Sequence, residues 1–184
     1  MESGSWIIVL VLVFLVLMSA YFSATETAFT SLNRIRLKNM AYGGNKRAKL
    51  ALELSDNYDK LLSTILIGNN IVNITSASLA TVIFVAGFGD LGVTLSTVVM
   101  TIVVLIFGEI SPKSIAKDSP ERFAMFSAPL LKFFIVLLAP LNFLFMQWKN
   151  LLSKIFRAKD DRSITDEELL VIDVYKRQVQ YDST

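Results

Sequence analysis

Four long stretches almost without charge dictate what this chain can fold into. Ser3 to Thr25 carries no charge over 23 residues, Leu61 to Gly89 none over 29, and Leu91 to Gly108 none over 18. Phe123 to Trp148 runs 26 residues with a single charge, Lys132. A helix that crosses a bilayer needs about 20 apolar residues. The first two stretches meet that length as they stand, and the third does once Ile110 and its neighbours extend it. Charged residues make up 18% of the chain, against about 25% in a typical soluble domain. The expectation is an all-α membrane protein. Cysteine and histidine are both absent, which removes disulfides, zinc–thiolate sites, Ser–His catalysis and imidazole ligands. A net charge of +2 gives no bulk attraction to nucleic acid. Any chemistry falls to oxygen ligands, carboxylates and backbone, and no enzymatic activity is expected.

Lysine and arginine set the expected orientation. Residues 31–60 hold seven basic side chains, Arg34, Arg36, Lys38, Lys46, Arg47, Lys49 and Lys60, against three acids. The turn Gly87-Phe88-Gly89-Asp90 has none, and Lys113, Lys117 and Arg122 follow the third stretch. The positive-inside rule then puts the N-terminus outside, 31–60 in the cytoplasm, the 87–90 turn outside and the C-terminus in the cytoplasm. The first stretch lacks a basic leader and is too long for a cleaved signal, so it is expected to remain as a span. The fourth has basic flanks at both ends and contains Pro129 and Pro140. Proline breaks helix hydrogen bonding, so this stretch is expected to form two short helices in the inner interface, anchored by Trp148 and Lys149. That leaves three spans. An amphipathic cytoplasmic helix is expected after the Gly43-Gly44-Asn45 turn. Thr165 with Glu168 fits a capping box. The division is a transmembrane domain, 1–158, and a cytoplasmic tail, 159–184.

Polar side chains inside a span are costly unless partnered, which makes three groups candidates for function. Ser19 and Ser23 lie four apart and share a helix face, extended by Glu26. Asn69 and Asn73 likewise face together, with Asn70 partly aside. Asparagine carbonyls are good ligands for hard cations. In the third group Glu109 follows Gly108, and Pro112 lacks the N–H that would serve the Gly108 carbonyl in an α-helix. A free backbone oxygen then lies beside a carboxylate, as in the interrupted helices of transporters. Plain accounts compete with each: hydroxyl and amide groups pack helices, and Glu109 can pair with Lys113 at i+4. At about 1.5 Å per residue the three groups fall mainly in the inner half of the bilayer.

The segments Phe22-Ser23-Ala24-Thr25-Glu26-Thr27-Ala28, Gly68-Asn69-Asn70-Ile71-Val72-Asn73 and Gly108-Glu109-Ile110-Ser111-Pro112-Lys113 resemble, in order, the transmembrane domain of the CorC/CorB and cyclin M (CNNM) magnesium transporters. The resemblance covers about residues 5–170. It implies a homodimer with three spans per subunit and a belt of juxtamembrane helices. It also implies a Mg²⁺ site at Ser19, Ser23, the Asn69–Asn73 segment, the Gly108 carbonyl and Glu109, and Mg²⁺ export that Na⁺ drives. Longer members carry a cytoplasmic CBS-pair module that binds ATP. Here Ile164–Leu170 resembles the entry to that module, but residues 174–184 depart from the family's continuation. The expectation is a truncated chain or a short natural form, without assigned ATP regulation.

Mg²⁺ takes six oxygens in near-octahedral geometry, and these hydroxyls, amides, carbonyl and carboxylate supply the count. One rival reading is a Mg²⁺-binding sensor or regulatory membrane protein that moves no ion. Another is a proton-coupled exporter of small molecules using Glu26 or Glu109. An intramembrane hydrolase lacks the histidine or paired aspartates it needs.

Overall fold

The apolar stretches become long helices because nothing in them stops one. In the computed structural model, which describes residues 3–157, α1 runs Ser3–Ser31 and α4 runs Tyr58–Phe88. The third span begins as α5, Leu91–Val103, passes through a π-helical segment, Val104–Ile110, and continues as α6, Ser111–Asp118. Three helical stretches, Trp6–Ser31, Tyr58–Phe88 and Leu91–Asp118, are long and apolar enough to cross a membrane. Their outer faces carry exposed Leu10, Phe14, Leu17, Ile74, Val82, Val98 and Ile102, a continuous apolar surface suited to lipid. Every regular element among the described residues is helical.

Small residues let the helices approach. A Cβ on Gly68 would lie 2.4 Å from the Phe22 ring, so glycine there is what seats the fully buried Phe22 of α1 against α4. A Cβ on Gly92 would meet the backbone of Phe84 at 2.5 Å, which closes the α4–α5 hairpin. Gly89, at φ 60°, caps α4 in the left-handed region that glycine enters without steric cost.

Between the first two spans the chain forms α2, Arg34–Tyr42, and α3, Lys46–Asp56. The expected helix after the Gly-Gly-Asn turn is α3. Asn45 starts it by accepting from the N–H groups of Arg47 and Ala48, and Asn33 starts α2 by accepting from Ile35 and Arg36. Helix α2 was not expected, because no apolar period marks it; its cap asparagine was the available signal. Arg34 pairs with Asp56. Glu121, in the first turn of α7 (Pro120–Leu137), accepts from the Asn33 N–H at 3.1 Å.

The fourth apolar stretch divides at one proline instead of two. Pro129 lies inside the unbroken α7. The break falls at Leu138, before Pro140, where α8 (Ala139–Arg157) begins and the chain bends by 74°. Asn142, in the first turns of α8, donates to Thr64 Oγ1 on α4 at 2.7 Å. One compact unit extends to Phe143 and a second begins at Leu144. The Thr165–Glu168 capping box and the 159–184 tail lie outside the described residues.

Candidate cation site

The first two polar groups meet where α1 crosses α4, and the third arrives through the π segment. Ser19 and Ser23 are both buried, on the face of α1 that packs against α4 and the π segment. Ser19 Oγ donates to Asn69 Oδ1 at 3.1 Å. Asn69 and Asn73 lie one turn apart on α4 and are half-buried, while Asn70 is exposed. The pair that shares a face is therefore the pair turned inward.

Gly108 is buried in the π segment. A Cβ there would stand 2.9 Å from Ser19 Oγ, so only glycine lets the third span's backbone come this close to the serine. The wide register also changes the argument about Pro112. The Ser111 N–H bonds Ile106 O, five residues back. The next residue, Pro112, has no N–H for Phe107, five back, or for Gly108, four back. The bulge and the proline thus bear on two successive carbonyls at this bend, where sequence reasoning named one. Such π-bulges recur at functional sites.

Two buried side-chain oxygens, one turn to either side of the Ser19–Asn69 contact, have no hydrogen-bond partner in the protein: Ser23 Oγ on α1 and Asn73 Oδ1 on α4. Leaving a buried polar atom unpaired costs about 1–3 kcal/mol. The arrangement of Ser19, Ser23, Asn69, Asn73 and the Gly108 backbone is neutral and rich in oxygen, which suits a small hard cation. Among the described residues no three acidic side chains converge. Coordination would rest on hydroxyl, amide and backbone oxygens, with one carboxylate.

That carboxylate, Glu109, is not brought onto the serines and asparagines. Its Oε1 accepts from Lys113 Nζ at 3.0 Å, the i+4 pairing that competed with the ligand reading. The same ammonium lies 3.5 Å from Glu26 Oε2. One lysine thus ties the acid of the first group to the acid of the third. Sequence spacing showed the Glu109–Lys113 half of this triad. The Glu26 half joins residues 87 positions apart in the chain, and spacing carries no trace of it.

Residues 10–179 match the model of a family described as the cyclin M transmembrane N-terminal domain. The chain is 42% identical over 158 residues to the UPF0053 inner membrane protein YfjD of Escherichia coli, covering 84% of this chain and 37% of that protein. It is 40% identical over 163 residues to a UPF0053 protein of Haemophilus influenzae, covering 87% and 39%. A chloroplastic DUF21 domain-containing protein of Arabidopsis thaliana is 36% identical over 115 residues, covering 62% and 18%. The chain therefore spans under two fifths of the length of these relatives.

Proposed function

The chain belongs to the cyclin M transmembrane family of multi-pass membrane proteins, and from that premise we propose that it binds Mg²⁺ between α1, α4 and the π segment and carries it across the membrane. The observation that supports this most directly is that buried oxygens one turn to either side of the Ser19–Asn69 contact, Ser23 Oγ and Asn73 Oδ1, have no protein partner. Ser19, Ser23, Asn69, Asn73 and the Gly108 carbonyl provide geometry. Glu109 provides the negative charge that a dehydrated divalent ion requires. Lys113 holds that carboxylate one turn away, and the ion competes with the ammonium for it. Neutral ligands with one carboxylate keep affinity moderate, as release from a carrier demands.

The finer reading follows the family resemblance. The cargo is exported and Na⁺ drives it. The working unit is a homodimer whose N-termini lie outside the cell membrane and whose C-termini lie in the cytoplasm. Helices α2, α3 and α7 form an inner juxtamembrane belt, and longer relatives attach a CBS pair. The protein is a transporter and not an enzyme.

Calorimetry on the folded protein, paired with Mg²⁺ flux into liposomes, tests the reading. Ser23→Ala and Asn73→Ala are each expected to weaken Mg²⁺ binding partially and to slow flux in step. Unchanged affinity in both returns these residues to helix packing. Binding without flux in the parent protein makes it a sensor.

A further inference from the structure

Asn73 lies one turn beyond Asn69 on α4. It also lines the inner end of a cleft of about 320 Å³ between α4 and the third span, where the polar side chains of Thr81, Ser96, Thr97 and Thr101 are interleaved with the apolar Met100, Val104 and Leu105. We propose that this cleft is the outward leg of the cation's path, leading from Asn73 toward the 87–90 turn, with the Thr81–Ser96 contact as its outer constriction. The inference rests on the transport reading and adds the route.

The first support is placement. Asn73 Oδ1 is buried without a protein partner, so the same atom serves the site and opens the cleft. Thr81 lies eight residues further along α4, about 12 Å nearer its outer end. The cleft therefore covers the part of the membrane that the inner-half site leaves uncrossed.

The second support is the state of the hydroxyls. Thr97 donates to Val93 O at 2.9 Å and Thr101 to Thr97 O at 2.7 Å. Thr81 and Ser96 have acceptors on their own helices, Ala77 O and Val93 O, each at 2.9 Å, and one of the two donates instead to the other's oxygen. The Thr97 and Thr101 hydrogens are committed to their own helix, so lone pairs are what those two oxygens offer a visitor. A row of acceptors suits a cation and repels an anion. Thr81 Oγ1 and Ser96 Oγ meet at 3.0 Å, the one hydroxyl contact that ties the two walls together. Opening it requires one rotamer change and breaks no ion pair.

The absence of cysteine in this chain allows a clean test. Thr97→Cys and Thr101→Cys are placed in the cleft and Val98→Cys on the exposed apolar face. A charged, membrane-impermeant thiol reagent is applied from outside to cells carrying the full chain. Only a thiolate in water reacts, so the two cleft cysteines are expected to react at least about tenfold faster than the control. Thr101→Val is expected to slow Mg²⁺ flux several-fold while calorimetric affinity stays unchanged. Equal labelling at all three positions, or full flux in Thr101→Val, overturns the route. If the cleft labels as expected but the parent protein moves no Mg²⁺, the cargo assignment fails and the aqueous cleft stands.

Discussion

Buried polar groups occur in two regions of this molecule, and the regions treat them in opposite ways. In the charged belt of α2, α3 and α7 they are partnered within the protein. Glu121 is 7% exposed, yet it accepts from the Asn33 N–H and lies 3.7 Å from Arg36. Ser55 donates to Leu52 O and Ser127 to Ala124 O. At the crossing of α1, α4 and the π segment, Ser23 Oγ and Asn73 Oδ1 have no such partner. The belt's polar groups fix positions, whereas those of the crossing keep capacity for a ligand. Asn142 stands between the two, with its amide nitrogen bonded to Thr64 and its Oδ1 unpaired.

The sharpest way to break this contrast is to remove one acid from each region. Glu109→Gln keeps shape and removes the charge that offsets a dehydrated ion, so Mg²⁺ binding is expected to vanish while thermal stability barely moves. Glu121→Ala leaves the Asn33 N–H without its acceptor and is expected to cost about 1–3 kcal/mol of stability while Mg²⁺ affinity is kept. Titration calorimetry and thermal unfolding of both variants decide. If Glu109→Gln still binds and transports normally, the site is elsewhere.

Gly108→Ala comes next. The added methyl carbon would stand 2.9 Å from Ser19 Oγ, and the serine has to leave its contact with Asn69. The expected result is a loss of Mg²⁺ affinity of about tenfold or more, with a stability cost held near about 1–3 kcal/mol by overpacking. Unaltered affinity would mean that Ser19 and the Gly108 backbone do not act on the same ion.

A smaller effect, of opposite sign, is expected at Lys113. Its ammonium pairs with Glu109 and Glu26 across half-exposed surfaces, where such a pair contributes about 0.2–1 kcal/mol. Lys113→Gln removes a competitor for the Glu109 carboxylate, so Mg²⁺ binding is expected to tighten up to about fivefold. Weaker binding in that variant would make Lys113 a positioning residue for Glu109 instead of its rival.

The spans and the shared helix faces of the candidate residues were legible in the sequence because both are written locally. Uncharged length marks a span, and i, i+4 spacing put Ser19 with Ser23 and Asn69 with Asn73 on shared faces. Pro112 beside Gly108 signalled a disturbed helix. What stayed hidden depended on partners far along the chain. The Glu26–Lys113 pairing, the packing of Phe22 onto Gly68 and the cleft shared by Thr81 and Ser96 arise only when helices cross. Pro129 misled because a proline inside a helix removes one hydrogen bond without ending the helix when neighbours hold it: nearby Ala128 and Leu131, on the same helix, are fully buried. The π register escaped for a related reason, since the tight approach of Gly108 to Ser19 is a tertiary constraint.

The smallest effect separates the two regions most cleanly. Asn33 and Asn45 each accept two backbone N–H bonds at the starts of α2 and α3, and they touch nothing in the crossing. Replacing a cap asparagine by alanine costs about 1 kcal/mol, because the freed N–H groups must find water. Asn33→Ala and Asn45→Ala are therefore expected to lower the unfolding temperature by a few degrees and to leave Mg²⁺ affinity unchanged. Asn73→Ala is the counterpart. It removes an asparagine oxygen that has no partner to lose, so its stability is expected to hold or rise slightly while affinity falls. Three asparagine-to-alanine changes, read by thermal unfolding and calorimetry, thus give opposite patterns. If Asn73→Ala behaved like the two caps, losing stability and keeping affinity, its oxygen would be structural and the contrast between belt and crossing would dissolve.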